Sequence, residues 1–183
     1  MNIRATILGW FFTCFALAAP ASAQSGDAPH ERVWLDAHNA ERTEFGVAPL
    51  RWNPRLAREA NGWAHRLARE EVLRHASIEE RGGRGENLWM GTAGYYSAAQ
   101  MLSYFADEKR YFRPGAFPNV SSTGNWADVG HYTQIVWAET REVGCSMARG
   151  ARFDVLVCRY WPGGNVMGTR LAPSERLSRR AAR

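Results

Sequence analysis

Three stretches of the chain stand out for their residue types and spacing. They are Gly85-Glu86-Asn87-Leu88, Gly130-His131-Tyr132-Thr133-Gln134-Ile135-Val136-Trp137 and Cys158-Arg159-Tyr160-Trp161-Pro162-Gly163-Gly164-Asn165. Glu86 and His131 are the groups there that can hold a metal or move a proton. Familiar nucleophile and phosphate signatures are missing: there is no G-x-S-x-G elbow, no H-E-x-x-H, no G-x-x-x-x-G-K and no C-x-x-C. Cys145 and Cys158 are expected to pair with each other, which removes a cysteine nucleophile. Hydrolysis through an activated Ser or Cys therefore has little support. His30, His38 and His65 lie outside these stretches, on predicted helices, and read as surface residues.

The elements that must position these stretches follow from periodicity. Asp27-Ala28-Pro29 starts a helix, with Asp as N-cap and Pro in the first turn, and Gly46 ends it. Val33, Ala37 and Ala40 recur along it at helical spacing, beside Trp34. Asn53-Pro54 repeats the start signal, and Leu56, Ala60, Trp63, Ala64 and Leu67 form the stripe of a second helix. A third is predicted over 97–111, burying Met101, Leu102 and Phe105. Residues 112–130 carry Pro, Gly, Asn and Ser among scattered aromatics and read as a long ordered loop. Then the period changes: 143–148 and 153–160 predict two strands around a turn at Arg149-Gly150. The run 153–158 is almost continuously apolar, as in a strand covered on both faces. With helices before it, the expected architecture is α/β, a three-layer α/β/α sandwich. Facing strands would bring Cys145 and Cys158 to disulfide distance.

In order and spacing, from about Val33 to Gly168, the three stretches resemble the CAP or SCP domain. That family comprises cysteine-rich secretory proteins, antigen 5 and pathogenesis-related class 1 proteins, and its fold is the sandwich just described. The resemblance implies a cleft holding two His and two acids. Carried onto this chain they are His75, Glu86, Glu108 and His131. Glu108 follows Phe105 by three residues, where the family usually has Trp, and Asp107 is the neighbouring alternative. Such a tetrad can ligate a divalent metal (Zn or Mg), work as an acid/base set, or form a buried polar network. Tyr132 and Gln134 are expected to hydrogen-bond backbone across the cleft wall, and 162–165 to form a turn. Phe112, Phe117 and Trp126 either pin the long loop to the body or line an apolar groove, since some family members bind sterols or fatty acids.

The 183 residues amount to one domain plus a leader and a tail, and a hydrophobic fraction of 45% can fill a core. Residues 1–23 read as a signal peptide: Arg4, an apolar run from Ile7, and Ala21-Ser22-Ala23 before the cut. No second apolar run follows, so no transmembrane segment is expected after signal removal, and the protein is expected to be secreted or periplasmic. Residues 24–171 form the domain and 172–183 an Arg-rich disordered tail. The net charge of +5 resides in Arg4 and the last fourteen residues, leaving 24–169 neutral. A neutral body makes a poor case for nucleic acid. The leading expectation is a binding protein for a lipid, sterol or cell-envelope partner rather than an enzyme. The alternatives are a metal-assisted or acid/base hydrolase using the same tetrad, and an interaction module without turnover.

Overall fold

The computed structural model describes residues 28–173. The expected leader (1–23), the Asp27 cap and all but the first two residues of the expected tail (172–183) lie outside them. Helix α1 spans Ala28–Phe45 and closes at Gly46, whose φ of 85° and N–H bond to the Arg42 carbonyl (2.9 Å) make it the left-handed residue after the last turn. Helix α2, Pro54–Glu70, starts where the Asn53 side chain accepts from the N–H groups of Arg55 and Leu56. It buries the predicted stripe of Leu56, Ala60, Trp63, Ala64 and Leu67.

The predicted third helix divides into two. After a capping box between Ser97 and Gln100, α4 runs Ala98–Ala106 and buries Met101, Leu102 and Phe105. It then tightens into a 3-10 turn, Asp107–Tyr111. Short α3 (Ile78–Arg81) precedes strand β2, Gly85–Thr92, and α5 covers Gly130–Ile135. The 112–130 segment is more structured than a loop. It holds β3 (Gly115–Ala116), which pairs with β6 (Arg170–Leu171), and a 3-10 turn at Trp126–Val129.

The main sheet has the order β1-β4-β5-β2, with β1 at Arg51–Trp52, β4 at Glu142–Arg149 and β5 at Phe153–Trp161. Helix α2 covers one face against β4 and β5; α1, α4 and α5 cover the other. Strand β5 alternates between the two cores. Leu156, Cys158 and Tyr160 join the α1/α4/α5 side, and Val155 and Val157 join the α2 side. This is the three-layer sandwich. Gly144 lets α2 approach β4, because a Cβ there would strike the Ala57 nitrogen and the Asn53 carbonyl. Cys145 pairs directly with Cys158 across β4 and β5, with a Cα separation of 4.1 Å, and the two form a disulfide.

One stripe departs from expectation. Along α1 the buried face is Trp34, His38, Arg42 and Phe45, while Val33 and Ala40 are exposed. The polar pair is buried because both side chains find partners inside. Arg42 donates to the carbonyls of Ala48, Ile135, Trp137 and Thr140, three of which belong to the chain leaving α5. Burial lowers the Arg42 pKa to about 10, and neighbouring Arg141 adds to the effect.

Candidate functional site

Strand β2 is an edge of the main sheet, and a cavity of about 600 Å³ opens beside it. Its lining includes His75, Glu86 and Asn87 on one side and Trp126, His131 and Gln134 on the other. A Cβ on Gly85 would strike the Gln134 amide, so a side chain where this wall closes would displace that amide. His75 arrives on the segment after α2, Glu86 on β2 and His131 in the first turn of α5. Glu108 sits in the 3-10 turn after α4, touching His131 but not lining the cavity.

The four side chains form two pairs. His75 Nδ1 lies 2.6 Å from Glu86 Oε1, which also accepts from the Ala76 N–H at 3.1 Å. Glu86 Oε2 faces Arg159 Nη2 at 3.0 Å, and the Glu86 side chain is wholly buried. His131 Nδ1 lies 2.6 Å from Glu108 Oε1, while Glu108 Oε2 accepts from the backbone N–H groups of His131 (2.8 Å) and Tyr132 (3.1 Å). Phe105, three residues before Glu108, stacks on the His131 ring at 4.7 Å. The passage from the end of α4 into the tight turn thus puts both the stacking ring and the carboxylate on one imidazole. An ionised carboxylate only accepts, so each Nδ1 is the donor, and in the neutral form of each ring Nε2 carries the lone pair. Both carboxylates are occupied in holding rings. What the arrangement leaves free is two imidazole nitrogens.

Beneath the cleft runs a buried chain that the sequence did not reveal. Asn87 Nδ2 donates to the His131 carbonyl (3.1 Å) and to the Tyr160 hydroxyl (3.0 Å). That hydroxyl contacts His38 Nε2 at 2.8 Å, and His38 Nδ1 meets the Trp34 carbonyl at 2.7 Å. A carbonyl only accepts, so Nδ1 carries the proton and the Tyr160 O–H donates to Nε2. His38 is therefore a core residue and not the surface one expected. Burial lowers its pKa to about 4, with the Trp34 carbonyl opposing and Arg42 reinforcing the shift. Burial pushes the Tyr160 hydroxyl up as well. His38, Cys145 and Cys158 are the one group of three His, Cys or acidic residues among those described whose ligand atoms lie within 4.8 Å of one another. The disulfide ties up both sulfurs, so that group offers no thiolate. His65 is exposed and His30 partly so.

The remaining expectations divide. Gln134 Oε1 accepts from the Gly164 N–H at 2.8 Å across the wall, as expected, and its amide donates to Thr140. Tyr132 packs its ring edge-on against Phe45 and Phe112 instead. Asn165 adopts φ of 59° in the turn and bonds the Gly130 carbonyl and the Thr133 hydroxyl. Phe117 is buried between Trp126 and Trp137, so it and Phe112 pin the long segment, whereas Trp126 reaches the cleft. An apolar cavity of about 370 Å³ lies elsewhere, between α1 and α4, lined by Val33, Trp34, Ala98, Met101 and Met147 among others. Arg159 was also missed. An arginine within so apolar a strand was the available sign of a buried counter-charge.

The family model of the cysteine-rich secretory protein family, CAP, matches residues 35–160. The chain belongs to the CAP family. It is 36% identical over 139 residues to pathogenesis-related protein 1C of Nicotiana tabacum, covering 75% of this chain and 78% of that one. It is 31% identical over 170 residues to pathogenesis-related protein PRMS of Zea mays, covering 91% and 95%. The crystal structure of NaASP2 with Zn2+ superposes with a TM-score of 0.69 at 22% identity, covering 88% of this CAP chain and 94% of that one. That likeness shows the shared fold.

Proposed function

We propose that this CAP protein acts by binding, and that the cleft holds a divalent cation on the Nε2 atoms of His75 and His131. One observation carries the reading: both rings have Nδ1 fixed by a carboxylate at 2.6 Å, which sets tautomer and orientation as metal sites require. Glu86 and Glu108 then act as orienting partners, and water or ligand atoms complete the coordination. The fit favours Zn over Mg, because the free donors are imidazoles and Mg prefers oxygen. The solved structure of NaASP2 with Zn2+ has the same fold, in support. When bound, such an ion polarises the ligand atom that meets it.

The partner side of the reading has two supports. The cleft, with its His, Glu, Asn and Arg side chains, suits a cell-envelope component, and the apolar cavity between α1 and α4 suits a lipid or sterol chain. A leader at 1–23 that exports the protein, and an Arg-rich tail at 172–183, belong to the same proposal. No helix among the described residues is long and apolar enough to cross a membrane.

Calorimetric titration with Zn tests the cleft. His75→Ala and His131→Ala should each abolish binding, whereas His65→Ala, on an exposed position of α2, should not. Acidification should weaken binding, because a protonated imidazole has no lone pair to offer. Undiminished binding by either cleft variant would reduce the tetrad to a structural polar network.

A further inference from the structure

Behind Glu86, on the α2 side of the sheet, lies a second polar cavity of about 490 Å³. Arg159 lies directly across the strand pair from Glu86 and directly across from Gly144, which contributes no side chain. Only 5% of the Arg159 side chain is exposed, and its Nε has no hydrogen-bond acceptor among the described residues. Arg55, Arg58 and Trp63 of α2, together with Arg84, complete much of the wall.

The charges there do not balance. Four guanidiniums line the cavity against two carboxylates, Glu59 and Glu80. Glu59 is taken by Arg55 at 3.2 Å and by Arg84 at 2.7 Å. Glu80 accepts from the Ser77 N–H in the capping box of α3 and faces Arg66 at 3.7 Å. Arg58 is exposed and has no partner among the described residues. Arg159 has one carboxylate, Glu86, for a whole guanidinium. Burial lowers its pKa, with Glu86 and Glu59 opposing and Arg81 and Arg84 adding to the fall. An incoming anion would relieve that desolvated charge.

We propose that this cavity is an oxyanion site that takes the phosphate or sulfate group of an ester. Guanidinium forks match tetrahedral oxyanions in both charge and geometry, and here Arg58 and the Arg159 Nε have donors to spare. The cavity is larger than a bare ion requires, and the Trp63 ring gives the remainder of an ester an apolar wall. The site is separate from the two imidazoles and does not rest on the metal reading. It adjoins the cleft in two ways: Arg84 lines both cavities, and Arg159 holds Glu86, which in turn holds His75.

The test follows the arginine Nε–H resonances of the full chain by NMR. Inorganic phosphate and glycerol 3-phosphate are titrated separately at constant ionic strength. The Arg159 signal should move and saturate, and the stronger of the two responses tells free anion from ester. Arg58→Gln, an exposed residue without a partner, should weaken binding about tenfold, while Arg32→Gln on α1 should leave it unchanged. A linear drift shared by all surface arginines, or equal responses in the two variants, would mean ionic screening and overturn the site. So would a response centred on the His75 and His131 signals, which would place the anion in the cleft.

Discussion

The two His–Glu pairs of the cleft share a 2.6 Å contact and differ in what meets the second carboxylate oxygen. Glu86 is wholly buried on the edge strand of the main sheet, and its charge is met by a guanidinium across the strand pair. Glu108 sits in a 3-10 turn with 18% of its side chain exposed, and its second oxygen is met by two backbone N–H groups of α5. The imidazoles reverse this order. His75 is 55% exposed on the buried acid, and His131 is 32% exposed on the open one, stacked on Phe105. The first pair is a core ion pair that happens to carry a ring. The second caps the first turn of a helix. Similar local geometry thus carries a large penalty for losing one partner in the first case and a small one in the second.

The largest expected effect tests the first half of that contrast. Glu86→Gln keeps an acceptor for the Ala76 N–H but leaves Arg159 buried without a counter-charge. Removing one partner of such a pair costs about 3–5 kcal/mol. Replacing both, as in Glu86→Met with Arg159→Met, should cost less than Glu86→Met alone, because no orphan charge remains. Urea unfolding of the variants decides it. If the double variant is the less stable, Arg159 is not the reason that Glu86 matters.

A second imidazole effect must be separated from the cleft before any acid sensitivity is credited to it. His38 is neutral in the folded chain, its pKa pulled by burial from the 6.5 of a free imidazole to about 4. Between those values the unfolded chain binds a proton that the folded chain refuses. Stability therefore falls as pH drops from about 6.5 to about 4, by about 3 kcal/mol over the window. Unfolding measured across this range should show a shallower slope for His38→Gln than for the parent chain. Parallel slopes would shift the acid sensitivity to other groups. Because His38 supports Tyr160, and Tyr160 and the His131 carbonyl share the Asn87 amide, acid loosening should begin beneath the second pair.

How much of this the sequence disclosed depended on whether side chains obeyed polarity. Helix α2 shows its buried stripe plainly because its inner face is apolar, and the β4/β5 register follows from two apolar strands around a short turn. Helix α1 misleads because half its inner face is His38 and Arg42, residues that periodicity assigns to solvent until their internal acceptors are known. Strand β2 reads as a motif and not as a strand, since Glu86 and Asn87 interrupt its alternation with buried polar groups. The positions of His75 and Glu108 came from family resemblance alone. Their partners depend on a segment after a helix and on a change from α to 3-10 winding, and neither leaves a periodic trace.

The smallest expected effect tests the second pair. In Glu108→Gln the amide oxygen still accepts from the His131 and Tyr132 N–H groups, so the turn stays capped. Only the charge-assisted bond to His131 Nδ1 is lost, at a partly exposed site, and the cost in stability should be about 1 kcal/mol. The ring loses the partner that fixes its tautomer, although Phe105 still stacks on it. On the metal reading, Zn affinity should therefore drop by about 10–100-fold, the usual consequence of removing an orienting partner. Glu108→Gln should thus separate binding from folding, which Glu86→Gln cannot do. Unfolding and calorimetry on the same two variants supply the comparison. A stability loss for Glu108→Gln as large as that for Glu86→Gln would erase the asymmetry, because the backbone cap would then matter as much as the buried ion pair.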